Sequence, residues 1–166
     1  MPTPDPKPWN KDRRVGERTP FTQDESLQLA NIFETAKAWH DQALFMVAVD
    51  TMFRVSDLLQ LTVADVMSKQ RKIQPCVKWK QQKTDNNVDP ALTPKTRAAL
   101  KRWISVSGKT GNDYLFTRNK GKEASPICDN YYFKLIKNWA EKLGLDPSTY
   151  STHSTRRTKP MYLFKR

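Results

Sequence analysis

Cysteine is nearly absent from these 166 residues, and its scarcity removes two kinds of architecture at once. Cys76 and Cys128 stand far apart and outside any CxxC or Cys/His cluster. A disulfide framework and a cysteine zinc site are therefore both excluded, and a reducing, cytoplasmic interior is expected. Long apolar runs are missing too: none approaches the roughly 18 residues that cross a bilayer, so no membrane partner is expected. The opening MPTPDPKPWNKDRR has no apolar core of the secretory kind. Acidic residues are few, 17 against 29 Lys plus Arg, for a formal charge of +12 and a pI near 9.8. Such an excess favours a polyanionic partner, because each phosphate neutralised releases condensed counterions.

What is present suffices for one domain with one sizeable core. Residues 1–19 carry four prolines and few apolar side chains, which predicts a flexible arm ahead of a domain spanning 20–166. Thr22 and Glu25 form a capping box, with Leu27, Leu29, Ile32 and Phe33 following at helical spacing. A second helix is expected over Trp39 to Met52, running into Phe53 to Leu61, which reads as a turn followed by a short third helix. The middle alternates loosely: Ile73 to Gln82 predicts an edge strand, Asp85-Asn86-Asn87 a turn, and Val88 to Leu92 the return strand. Thr93-Pro94 opens another helix that Gly108 closes. Asp113 to Phe116 predicts a short buried segment, followed by a Gly/Lys loop through Lys122. Cys128 to Leu143 predicts a helix with Tyr132, Leu135, Ile136 and Trp139 inward, and a last helix begins near Thr152. The expected class is α+β, mainly α-helical, with a small antiparallel hairpin.

Three separated patches stand out: Arg54-Val55-Ser56-Asp57-Leu58, Lys83 at the hairpin tip, and His153-Ser154-Thr155-Arg156-Arg157-Thr158. Arg54 beside Asp57 has a bland explanation as a surface ion pair, and His153 as an ordinary helix-start residue. Lys78 and Lys80 compete with Lys83. His40 reads as a surface or packing residue. Ser107-Gly108-Lys109-Thr110 is similar to the end of a nucleotide-binding loop, but Trp103 stands where its first glycine belongs, so that reading is rejected.

Taken together and in this order, the three patches resemble the signature of the tyrosine recombinases, the phage integrase family: Arg-x-Ser-Glu/Asp-Leu after an apolar helix, a hairpin Lys, then His-x-x-Arg opening a later helix. The resemblance covers Phe21 to the end of the chain. It implies a recombinase catalytic-domain fold, double-stranded DNA as partner, self-association on DNA in the complete protein, and a bacterial or phage origin. The implied activity is site-specific recombination by strand cleavage and rejoining, without metal or cofactor.

A phosphodiester undergoing transesterification passes through a pentacoordinate state with extra charge on its non-bridging oxygens. Arg54 and Arg156 fit that demand as planar, permanently charged, two-pronged donors. By resemblance Lys83 is the general acid for the departing 5′ oxygen, and His153 donates to the phosphate or shuttles a proton. Asp57 orients the cluster. The resemblance places the nucleophilic Tyr further beyond His-x-x-Arg than Arg166. No tyrosine here is expected to attack; Tyr162 lies too close to the motif, and Pro160 is unusual within the last helix. The expectation is a catalytic-type domain incomplete at its C-terminal end, which binds DNA but cannot cleave alone. The alternative is a non-catalytic DNA-binding or regulatory remnant.

Overall fold

The computed structural model describes residues 19–118 and 124–164, with the side chains of 160–164 excepted. The expected arm, apart from its last residue, lies outside them; so do part of the Gly/Lys loop and the side chains of Pro160 and Tyr162. The described elements run α1 (Gln23–Thr35), α2 (Trp39–Thr51), α3 (Val55–Leu58), α4 (Val63–Val66), β1 (Trp79–Lys80), β2 (Asn87–Val88), α5 (Pro94–Ser107), α6 (Asp129–Lys142), a 3₁₀ turn (Pro147–Thr149) and α7 (Thr152–Phe164).

Helix α2 is the centre. From Gln42 to Thr51 only Met46 escapes full burial, as expected of a helix apolar on nearly every side. Helices α1, α5 and α7 pack around it. Capping fixes where two of them begin. In α1 the Thr22 hydroxyl accepts the Glu25 amide at 3.1 Å while the Glu25 carboxylate accepts the Thr22 amide at 3.2 Å. In α5 Thr93 is the N-cap, and its amide and hydroxyl both donate to Asp50 near the end of α2, at 2.8 and 3.1 Å. Phe21, Phe33, Phe45, Tyr132 and Trp139 form an aromatic core, with ring centroids 5.6–6.4 Å apart in mostly edge-to-face pairs. The chain enters the domain against α7: the Phe21 amide donates to Thr158 Oγ1 at 3.1 Å.

The sheet is shorter than the sequence predicts. Trp79 pairs with Val88 and Lys80 with Asn87, antiparallel. Beyond them only isolated bridges continue, Cys76 to Ala91 and Met67 to Ile73. Pro75 and Pro90 explain the interruption: each still accepts a hydrogen bond through its carbonyl, from Leu92 and Val77, but neither has an amide to donate. The turn also forms earlier than expected, with the Asp85 amide closing on Gln81 and Asp85 left-handed at φ 56°. Helix α4 is additional to the sequence reading, although Thr62 and Asp65 form the capping box that starts it.

Candidate functional site

Met52 ends α2 in the left-handed conformation, φ 54°. That reversal sends Phe53 and Arg54 back across the helix end, and Arg54 becomes the N-cap of α3. Its carbonyl accepts the amides of Asp57 and Leu58 at 3.0 and 2.9 Å. The single turn of α3 buries Asp57 completely.

Asp57 holds the hairpin. Its Oδ1 accepts the Trp79 indole Nε1–H at 3.0 Å and the Gln82 backbone amide at 3.1 Å. Its Oδ2 is buried with no hydrogen-bond partner among the described residues. Lys83 follows Gln82 in the loop between β1 and β2 and is exposed. Of its two rivals, Lys80 lies 3.8 Å from Asp85, both side chains exposed, and Lys78 points outward on the same strand.

Helix α7 supplies the opposite wall. Ser151 and Ser154 cap its start reciprocally: Ser154 Oγ accepts the Ser151 amide at 2.9 Å, and Ser151 Oγ the His153 amide at 3.3 Å. The spacing i, i+3, i+4 then sets His153, Arg156 and Arg157 on one face. Arg156 is anchored across 104 positions, its Nε donating to the Met52 carbonyl at 2.8 Å. Burial and the nearby Arg54 guanidinium both push the Arg156 pKa down, while Asp57 pushes it up. Two like charges so placed favour an anion between them. Lys159 repeats the anchor one turn on, donating to the Asp50 carbonyl at 3.1 Å. The end of α2 thus receives two cations from α7, the polarity that a helix C-terminus favours.

An open cavity of about 860 Å³ lies between these walls, lined by Thr51 to Phe53, Gln81, Asn87 to Pro90, His153, Arg156 and Arg157. Of the sequence-named residues, His153 and Arg156 line it directly. Arg54 and Asp57 do not line it but act electrostatically on Arg156. Lys83 stands on the loop beside it rather than in its wall. The sequence places Arg157 in the third patch but gives it no role, although it lines the cavity one residue after Arg156. It also missed the Met52 carbonyl and the two hairpin donors to Asp57, which no local pattern announces. Among the described residues no tyrosine lines the cavity. Tyr132 and Tyr150 are buried, and Tyr131 lies under the Arg118 guanidinium at 4.7 Å. No helix of the described residues is long and apolar enough to cross a membrane.

The sequence pattern of the phage integrase family matches residues 20–165. Among proteins of curated function, none matches. Solved structures do. XerA recombinase superposes with a TM-score of 0.70 at 19% identity, over 96% of this chain and 52% of its own. XerH site-specific recombinase, solved in a pre-cleavage complex with its difH substrate, gives 0.66 at 20% identity, over 90% and 44%. The catalytic core of lambda integrase gives 0.61 at 18% identity, over 86% and 81%. The chain therefore spans about half the length of the two Xer recombinases.

Proposed function

The chain belongs to the phage integrase family, and from that premise we propose that it grips the backbone of duplex DNA for strand cleavage and rejoining in site-specific recombination. The observation that carries this reading is the meeting of α2, α3 and α7, where the charges of Arg54, Asp57 and Arg156 act on one another beside a cavity open to solvent.

In this reading the cleaved phosphate sits against Arg156 and His153, with Arg54 completing the clamp. Arginine suits the task because a guanidinium binds two oxygens at once and keeps its charge when partly buried. Positioned donors of this kind are each worth on the order of 3 kcal/mol to a transition state that gathers negative charge. An oxygen nucleophile attacks phosphorus in line, and the 5′ oxygen leaves taking a proton from Lys83. His153 donates to a non-bridging oxygen. Asp57 acts through the hairpin, holding the residue before Lys83. The family's nucleophile is a tyrosine. No described tyrosine lines the cavity; in this reading the attacking oxygen is not one of theirs, and the chain by itself binds DNA and leaves it intact. The same observation favours the second reading, a non-catalytic DNA-binding or regulatory domain.

Self-association on DNA belongs to the proposal, lambda integrase having been solved as a tetramer on a Holliday junction. So does a cytoplasmic place in a bacterial or phage setting. The test is a fluorescence-anisotropy titration with duplex DNA. Tight binding at low salt, weakened steeply by added salt and by Arg156→Lys, supports the reading; absence of binding at low salt refutes it.

A further inference from the structure

The charge of this chain is unevenly spread. Between Val66 and Thr84 stand six cations, Lys69, Arg71, Lys72, Lys78, Lys80 and Lys83, and no carboxylate. Those 19 residues carry half of the formal charge of +12; the acid-free stretches at 90–112 and 147–166 hold five cations each. All six side chains are exposed, and among the described residues only Lys80 has an ion pair, at 3.8 Å.

The fold divides the six between two ends of one ribbon. The chain from Ile73 to Lys80 is bridged to Met67 at its start and paired with Asn87 and Val88 at its finish. Its finish turns through Lys83 beside the cavity. Its start is a tight turn: Ser68 and Lys72 join through a 2.8 Å hydrogen bond, Arg71 is left-handed at φ 62°, and the Lys72 amide donates to Ser68 Oγ at 3.2 Å. A closed turn of this kind holds Lys69, Arg71 and Lys72 together at one tip. Extended chain rises about 3.3 Å per residue, so the stretch from Ile73 to Lys80 spans at most roughly 25 Å. None of Lys69, Arg71 and Lys72 lines the cavity.

We propose that the Ser68–Lys72 turn is a second contact to the DNA backbone, outside the cavity, made by Lys69, Arg71 and Lys72. This rests on the DNA reading above and extends it. Three exposed cations on one turn, none in an ion pair among the described residues, attract phosphate and add counterion release to the binding without reading any base.

The test compares the full chain with two triple variants of equal charge loss. One is Lys69→Gln, Arg71→Gln, Lys72→Gln. The control is Lys101→Gln, Lys134→Gln, Lys142→Gln, exposed positions on α5 and α6. Each binds a duplex of about 30 bp across a salt series. The turn variant is expected to lose at least about tenfold in affinity and to flatten the log–log salt slope by about 2–3, the release from three phosphates. The control should shift far less. Equal behaviour of the two triples overturns the proposal. If the unaltered chain binds and Arg156→Lys weakens it while the triples match, only the second contact fails; if the unaltered chain does not bind, both readings fall. Single Lys69→Gln and Lys72→Gln variants, each expected to flatten the slope by about 1, decide the matter should the triple fail to fold.

Discussion

The carboxylate of Asp57 and the backbone amide of Gln82 are 3.1 Å apart, and that bond ties the one-turn helix after Arg54 to the loop that carries Lys83. The same oxygen holds the Trp79 indole, so a single buried atom holds both the first residue of β1 and the loop that follows it.

Asp57→Ala should therefore do more than remove a charge. It leaves a half-buried indole N–H and a loop amide without an acceptor, at a cost of about 1–3 kcal/mol in stability. Urea denaturation measures that loss. Hydrogen exchange should quicken at the amides of 79–86 and little at α5 or α6. Unchanged exchange in the loop contradicts the tether.

Arg156→Lys keeps the charge and loses the fork. One ammonium cannot both reproduce the Nε–Met52 contact and present two donors to a phosphate. Affinity for duplex DNA should fall about tenfold or more, with Arg54→Lys behaving alike under the proposal that the two share one anion. Anisotropy at fixed salt reads both. A double variant no weaker than either single would indicate a common ligand, whereas strict additivity places the two arginines on separate phosphates.

A nicked suicide duplex incubated with the 166-residue chain should yield no covalent protein–DNA adduct on a denaturing gel. The burial of Tyr132 and Tyr150, and their distance from the cavity lining, underlie this expectation. Any phosphotyrosine found on the chain, at whatever position, would require a rearranged site.

Burial raises the Tyr132 pKa, opposed only in part by its hydrogen bond to Thr155. A phenol whose folded pKa lies above the unfolded one contributes stability fully below about pH 10, and that contribution is lost as pH rises further. Tyr132→Phe should cost about 1 kcal/mol at neutral pH. It should also make the unfolding free energy fall less steeply between about pH 10 and 12. Equal slopes for variant and parent would remove Tyr132 as the source.

Much of the fold was legible because its signals are local. Thr22 with Glu25, Thr93 with Pro94, and the 3.6-residue spacing of Tyr132, Ile136 and Trp139 each declare a helix within one or two turns of chain. The strands were harder. Alternation around Trp79 predicts a ribbon, yet Pro75 and Pro90 limit its ladder through a pairing that only the folded register reveals. At the site, motifs supplied the residue types but not their neighbours. That the Asp57 carboxylate faces the hairpin, and that Arg156 leans on a carbonyl of α2, are consequences of tertiary packing between segments far apart in sequence.

Position 52 is where that packing constrains heredity. Its residue is left-handed, φ 54°, and what it offers Arg156 is a backbone oxygen that any amino acid possesses. The side chain is therefore selected for the shape it allows rather than for its chemistry. Glycine and asparagine accept that backbone readily, valine and isoleucine clash with it, and proline cannot adopt it. In a deep mutational scan scored for DNA binding, tolerance at 52 should sort by β-branching and be nearly blind to polarity, a pattern it should share with the other left-handed positions Lys37, Arg71 and Asp85 and not with ordinary helical core sites.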